Sequence, residues 1–284
     1  MKKILVIIYI NLLSAVGLGG ASLEVDAISF AYYGSGIAAN NNSANPASIL
    51  SNTNNKLTFS YNQWFDKVKG NMLRHEFDNR YILLNSYELD GIDLWGDNPD
   101  IEPMGTFGTH FVSLAYGHGL MLNNVRLGIQ ASGLHSRLYK EKTTALLFSV
   151  GVQYELLNNV KVGSTLKNFG YIDSNLEKNK IPFSYGLGLV YDIERMSSQI
   201  MFDYINNDLS GESFKVALTS QFSFLKFIFA ISSNRHSAFN FDDKIFMSGG
   251  FEFKYRSLAF TYGIVQQDNE SLGLPQAFQI TWYY

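Results

Sequence analysis

The chain has 284 residues, a formal net charge of -3 and a pI near 6.0, so it lacks the basic footprint that nucleic-acid binding leaves. It has no cysteine, which excludes disulfides, thiolate-bound zinc and a lipidated N-terminal cysteine. Charged residues make up 17% and aromatics 15%, with a mean hydropathy of -0.03, the balance expected when a greasy outer face and a polar inner face cancel.

The first 21 residues have the form of a secretory signal. Lys2 and Lys3 supply the charged start, 4–16 is an apolar run, and 17–22 is rich in small residues, with cleavage expected after Ala21. The apolar run is shorter than the roughly 20 residues a spanning helix needs. Residues 22–55 follow as a small, polar segment rich in Asn, Ser, Ala and Gly, without sustained periodicity. Its backbone groups would lack partners in lipid, so it belongs beside or inside a barrel, as a plug.

From Lys56 onward, period-two alternation predicts strands. They are expected near 56–66, 68–77, 80–92, 107–119, 123–138, 143–156, 159–172, 182–193, 198–206, 212–222, 225–233, 244–255, 257–267 and 274–284. In the last, Phe278, Ile280, Trp282 and Tyr284 share one face, opposed by Ala277, Gln279, Thr281 and Tyr283. A soluble sandwich also alternates, but its strands are usually about five or six residues. These are nearer the roughly 9–11 that a tilted membrane strand requires. The expected fold is all-β: a transmembrane antiparallel barrel of about 14 strands over 56–284, carrying an N-terminal plug. Connection lengths agree. If both termini face the periplasm, the periplasmic turns (near Asn79, 120–122, 157–158, 194–197, 223–224 and Arg256) are short. The outer loops at 93–106, 173–181, 234–243 and 268–273 are longer. The expected location is a Gram-negative outer membrane.

Chemistry is sparse. His75, His110, His118, His135 and His236 show no metal-ligand spacing, and no nucleophile motif stands out, so neither an enzyme nor a cofactor is expected. Acidic residues from Glu88 to Glu102 could hold a hard cation, but a solvated outer loop is favoured. The inward charges Arg126, Glu155, Lys161, Lys167, Asp192, Asp203, Lys215, Glu252 and Lys254 are of mixed sign, which favours hydrating and pairing across the lumen over ion selection. Glycines in "GLGLV" and "SGG" are read as relieving crowding or permitting bends.

Several segments in order resemble the PorV/PorQ family of outer-membrane proteins, related to the FadL-type channels. Asn45, Pro46 and Ala47, then "SIL", resemble the family's "NPAGL" segment. "LAYGHGL" (114–120), "VRLGIQASGLHSRL" (125–138), "FSVGVQYEL" (148–156) and "VKVGSTLKNFG" (160–170) follow. The resemblance covers most of the chain after the signal, and it implies a plugged barrel and an accessory role in type IX protein secretion. Binding of secreted cargo or other secretion components would then fall to the outer loops at 94–104, 173–181 and 239–243. Leu94, Trp95, Met104 and Phe239 are the expected contacts, Trp95 being either an anchor or merely tucked against the barrel. The alternative is a FadL-like channel for hydrophobic small molecules, which would need an apolar pocket and a lateral gap in the wall.

Overall fold

The computed structural model describes residues 20–21, 23–51, 55–64, 68–94, 103–138, 141–174, 181–235, 244–266 and 273–284. The expected signal peptide, apart from its last two residues, lies outside them, as do Trp95 and Phe239. Fourteen antiparallel strands close into one barrel: β1 (Lys56–Trp64), β2 (Val68–Phe77), β3 (Arg80–Leu94), β4 (Gly105–Leu122), β5 (Val125–Leu138), β6 (Glu141–Leu157), β7 (Val160–Ser174), β8 (Ser184–Ile193), β9 (Ser198–Asn207), β10 (Gly211–Phe222), β11 (Leu225–Arg235), β12 (Lys244–Tyr255), β13 (Leu258–Gln266) and β14 (Gln276–Tyr283). Each strand pairs with its sequence neighbour, and β1 pairs with β14 from Lys56↔Tyr283 to Gln63↔Gln276. Closure removes the unpaired edges that lipid would not tolerate.

Every expected strand is present, with shifted ends. The turn expected at 120–122 is strand: β4 runs to Leu122, and Asn123–Asn124 makes the turn. Acidic Glu88, Asp90 and Asp93, expected in an outer loop, belong to β3. At the short-turn end, Asp78 and Asn79 both have positive φ (44° and 61°), as a type I′ hairpin turn requires. Asn tolerates the left-handed region better than most residues, and Asp does too.

Alternate residues point to opposite faces of each strand. Phe278, Ile280 and Trp282 lie outward and exposed, while Ala277, Gln279 and Thr281 are buried inside. The outer face is a belt of large apolar side chains that nothing among the described residues covers, which suits it to lipid. Phe229 sits within this belt, paired with Leu218 and Gly249. Phe229→Arg places a charge against hydrocarbon and is expected to cost about 2–4 kcal/mol. A lowered urea midpoint for refolding into bilayers checks it.

Inside the barrel lies the N-terminal segment. Asp26 caps a short helix, α1 (Ala27–Ala31), by accepting the Ser29 N–H at 2.7 Å. Farther along, a 3-10 turn spans Pro46–Ser51 and leads into β1. The helix packs on β12, β13 and β14, and the 3-10 turn on β4, β5 and β6.

Candidate functional site: a seated plug and an apolar chamber

The wall meets the plug through glycines. Gly128 abuts the backbone of Pro46 and Ala47, and Gly151 faces the Asn45 side chain. Gly163 lies against Ile37 O, and a Cβ added at Gly188 would stand 2.8 Å from that of Ile37. A Cβ at Gly250 would meet the Ala31 methyl at 2.6 Å, and one at Gly119 would meet Ile49 at 2.6 Å. These inward glycines do relieve crowding, and the crowding comes from the plug.

Polar side chains then fix the seat. Asn45 Nδ2 donates to Ile37 O at 2.8 Å, Val152 O at 3.2 Å and Ser164 O at 3.3 Å, while its Oδ1 accepts the Ala47 N–H at 2.9 Å. The NPA segment is thus the point where plug and wall lock. Gln153 Nε2 donates to Ile37 O at 2.9 Å and Ala39 O at 2.8 Å. The Asp203 carboxylate accepts the N–H groups of Gly36 and Ile37. Arg74 faces Asp26 at 3.7 Å and donates to Ser43 Oγ at 3.2 Å.

The inward charges expected to hydrate the lumen divide in two. Lys161 and Asp192 do pair, at 2.9 Å. Lys167 and Lys215 grip the plug instead, donating to Ser43 O at 2.8 Å and Tyr33 O at 2.7 Å. A buried ammonium needs acceptors, and the plug backbone offers them. On the plug, burial pushes the Glu24 carboxyl above its usual range, opposed by the Lys215 and Lys167 ammonium groups.

Toward the long-loop end, the inner wall of β2 to β6 turns apolar. Met72, Leu83, Tyr87, Leu89, Phe111, Leu134 and Leu147 are buried there in one cluster with Val25 and Ile49. Ala21 and Leu23 pack into it, and Gly20 lies over the Phe111 ring. Tyr87 OH donates to Glu24 O at 2.8 Å, and Asn62 Nδ2 to Val25 O at 3.1 Å. The residues entering the plug therefore fill this apolar part of the lumen, the chamber, and are held by two polar anchors, Tyr87 inside it and Asn62 on β1.

Of the expected contact residues, Met104 stands 72% exposed beside β4, and Leu94 ends β3. His75 contacts the terminal Tyr284 side chain, His110 lies 4.0 Å from Asp90, and His135 lies 3.3 Å from Thr144. Among the described residues, no group of three or more His, Asp or Glu could hold a metal ion. Tyr87 and Phe111 of the chamber, and Asn62 on β1, carry no motif that would mark them in sequence.

No protein-family profile matches the sequence, and no characterised protein is similar to it at significance. Solved structures do share the fold. The Ralstonia pickettii toluene transporter TbuX superposes with a TM-score of 0.64 at 8% identity, over 91% of this chain and 97% of that one. The CymD monoaromatic hydrocarbon channel gives 0.61 at 9% identity over 92% and 97%, and the Pseudomonas putida toluene transporter TodX gives 0.60 at 13% over 91% and 96%. The chain shares the closed antiparallel barrel fold of these proteins, with 14 strands.

Proposed function

We propose that this protein is a non-enzymatic channel of a Gram-negative outer membrane that passes small hydrophobic molecules through the apolar chamber. The observation that carries this reading is the greasy inner wall of β2 to β6, since a barrel lumen is ordinarily polar. The shared fold with toluene transporters supports it. On this reading residues 1–21 are a cleaved signal peptide. Cleavage after Ala21 would withdraw Gly20 from the Phe111 ring and free that face for a ligand. An intact mass of the mature protein beginning at Ser22 is the expected result; a chain retaining residue 20 would contradict it.

The reading as an accessory of type IX secretion, with cargo bound at Leu94, Trp95, Met104 and Phe239, keeps only the PorV/PorQ resemblance as support. The channel stands ahead of it because the chamber has no part in loop-mediated cargo binding.

Toluene uptake by cells lacking their own transporter tests the channel. Phe111→Trp and Leu147→Trp both crowd the chamber. Each is expected to cut uptake about tenfold, equivalent to roughly 1.4 kcal/mol along the route. Uptake in cells making the wild-type protein that equals the empty-vector control would end this reading.

A further inference from the structure

At the short-turn end, a cavity of about 310 Å³ opens along the wall of β10 to β12. Gln221, Ser223, Phe224, Leu225, Lys226, Glu252 and Lys254 line it. That volume is at the lower end of small-molecule sites, which begin at about 300 Å³. Lys226, Glu252 and Lys254 give its lining charge.

We propose that this vestibule is a binding site for a small organic carboxylate, held between the Lys226 and Lys254 ammonium groups. Both face inward, because Lys226 pairs with Glu252 across β11 and β12, and Lys254 lies two residues farther on the same face. The Lys226 ammonium lies 5.4 Å from the centre of the Tyr32 ring on the plug, and that of Lys254 lies 4.4 Å from the Tyr283 ring. Among the described residues, no carboxylate comes within the 4.0 Å of an ion pair with either one. A ring face accepts few of an ammonium's three N–H groups, and although Lys226 also hydrogen-bonds the Tyr32 side chain and is attracted by Glu252, donors remain for an oxygen ligand. Two ammonium groups and the Glu252 carboxylate leave one net positive charge, which one carboxylate balances. Phe224 and Leu225 supply apolar surface for a ring-sized body. The channel reading gives the site its place at the exit of a route, but the binding does not depend on transport.

The test is calorimetric titration of the full mature protein in detergent with benzoate, benzyl alcohol and inorganic phosphate. Lys226→Met and Lys254→Met keep length and remove charge, and heat-modifiable migration on gels confirms that each variant folds. Benzoate is expected to bind about tenfold or more tightly than benzyl alcohol, the weight of one charge-assisted hydrogen bond. Each variant should lose about that factor, and added salt should weaken wild-type binding. Equal binding of benzoate and benzyl alcohol would overturn the proposal, as would phosphate alone binding or folded variants that bind benzoate like the wild type. Benzoate binding without toluene uptake would keep this site and remove the channel; uptake without benzoate binding would do the reverse.

Discussion

Gly128→Leu is expected to leave the barrel closed and its plug unseated. Position 128 faces inward on β5, and any Cβ there overlaps the backbone of Pro46 and Ala47. Overpacking against side chains costs about 1–3 kcal/mol because they can turn aside. Here the obstacle is backbone, inside the turn that Asn45 locks to Val152 and Ser164. The larger side chain therefore removes the seat. The strand ladder is untouched, since Gly128 keeps its pairing with Gly119 and Gly151. Liposomes carrying the variant should swell in small sugars about tenfold faster than those carrying the wild type, because an emptied barrel of this strand number approaches the width of aqueous pores. Gly133→Leu, on the open outer face of the same strand with nothing within 4 Å, is the control and should change nothing.

Asp203→Ala is expected to loosen the plug without expelling it. One carboxylate oxygen serves the N–H groups of both Gly36 and Ile37. Without it, two buried donors lose a charged acceptor, at a cost of about 2–4 kcal/mol. Hydrogen exchange at residues 36–39 should accelerate by roughly thirtyfold to several hundredfold if local opening governs it. Asp203→Asn retains a carbonyl oxygen in the same place and should recover most of the protection. If alanine and asparagine behave alike, the carboxylate does not hold the plug.

Much of the wall was legible because a membrane barrel writes its two faces into alternating residues. The last strand, with Phe278, Ile280 and Trp282 against Ala277, Gln279 and Thr281, declared both its burial and its direction. β3 was harder. Ile82 and Leu84 face outward, yet Tyr81, Leu83, Tyr87 and Leu89 are also apolar and face inward. When both faces are greasy, alternation loses its contrast, and that same loss of contrast is the apolar chamber. The one stretch where the pattern blurred is thus the stretch with the strongest claim to function.

The plug was legible only by exclusion, as backbone that lipid could not accommodate. Its seat was not. The glycines of "GLGLV" mark close approach, but only the folded chain says that Ile37 is what approaches Gly186 and Gly188. Lys167 and Lys215 looked like lumen solvation because nothing in the sequence pairs them with carbonyls more than a hundred residues away. Asn45 was marked by a family motif, and the structure supplies its physical reason: one side-chain amide closes a turn and bonds two strands. Trp95 and Phe239 were picked as exposed loop aromatics, and they fall outside the described residues.

The account rests on the N-terminal segment standing inside a membrane-embedded barrel. A chain without cysteine allows that to be tested with two introduced thiols. A Cβ at Gly188 would lie 2.8 Å from that of Ile37, a separation that need widen by only about 1 Å to reach disulfide spacing, and the nearest obstacle is the end of the Asp203 side chain rather than backbone. Ile37→Cys with Gly188→Cys, oxidised in intact outer membranes, is predicted to form an intramolecular bridge that changes migration on non-reducing gels. Failure to bridge in a protein that fractionates as soluble and needs no detergent would contradict the account.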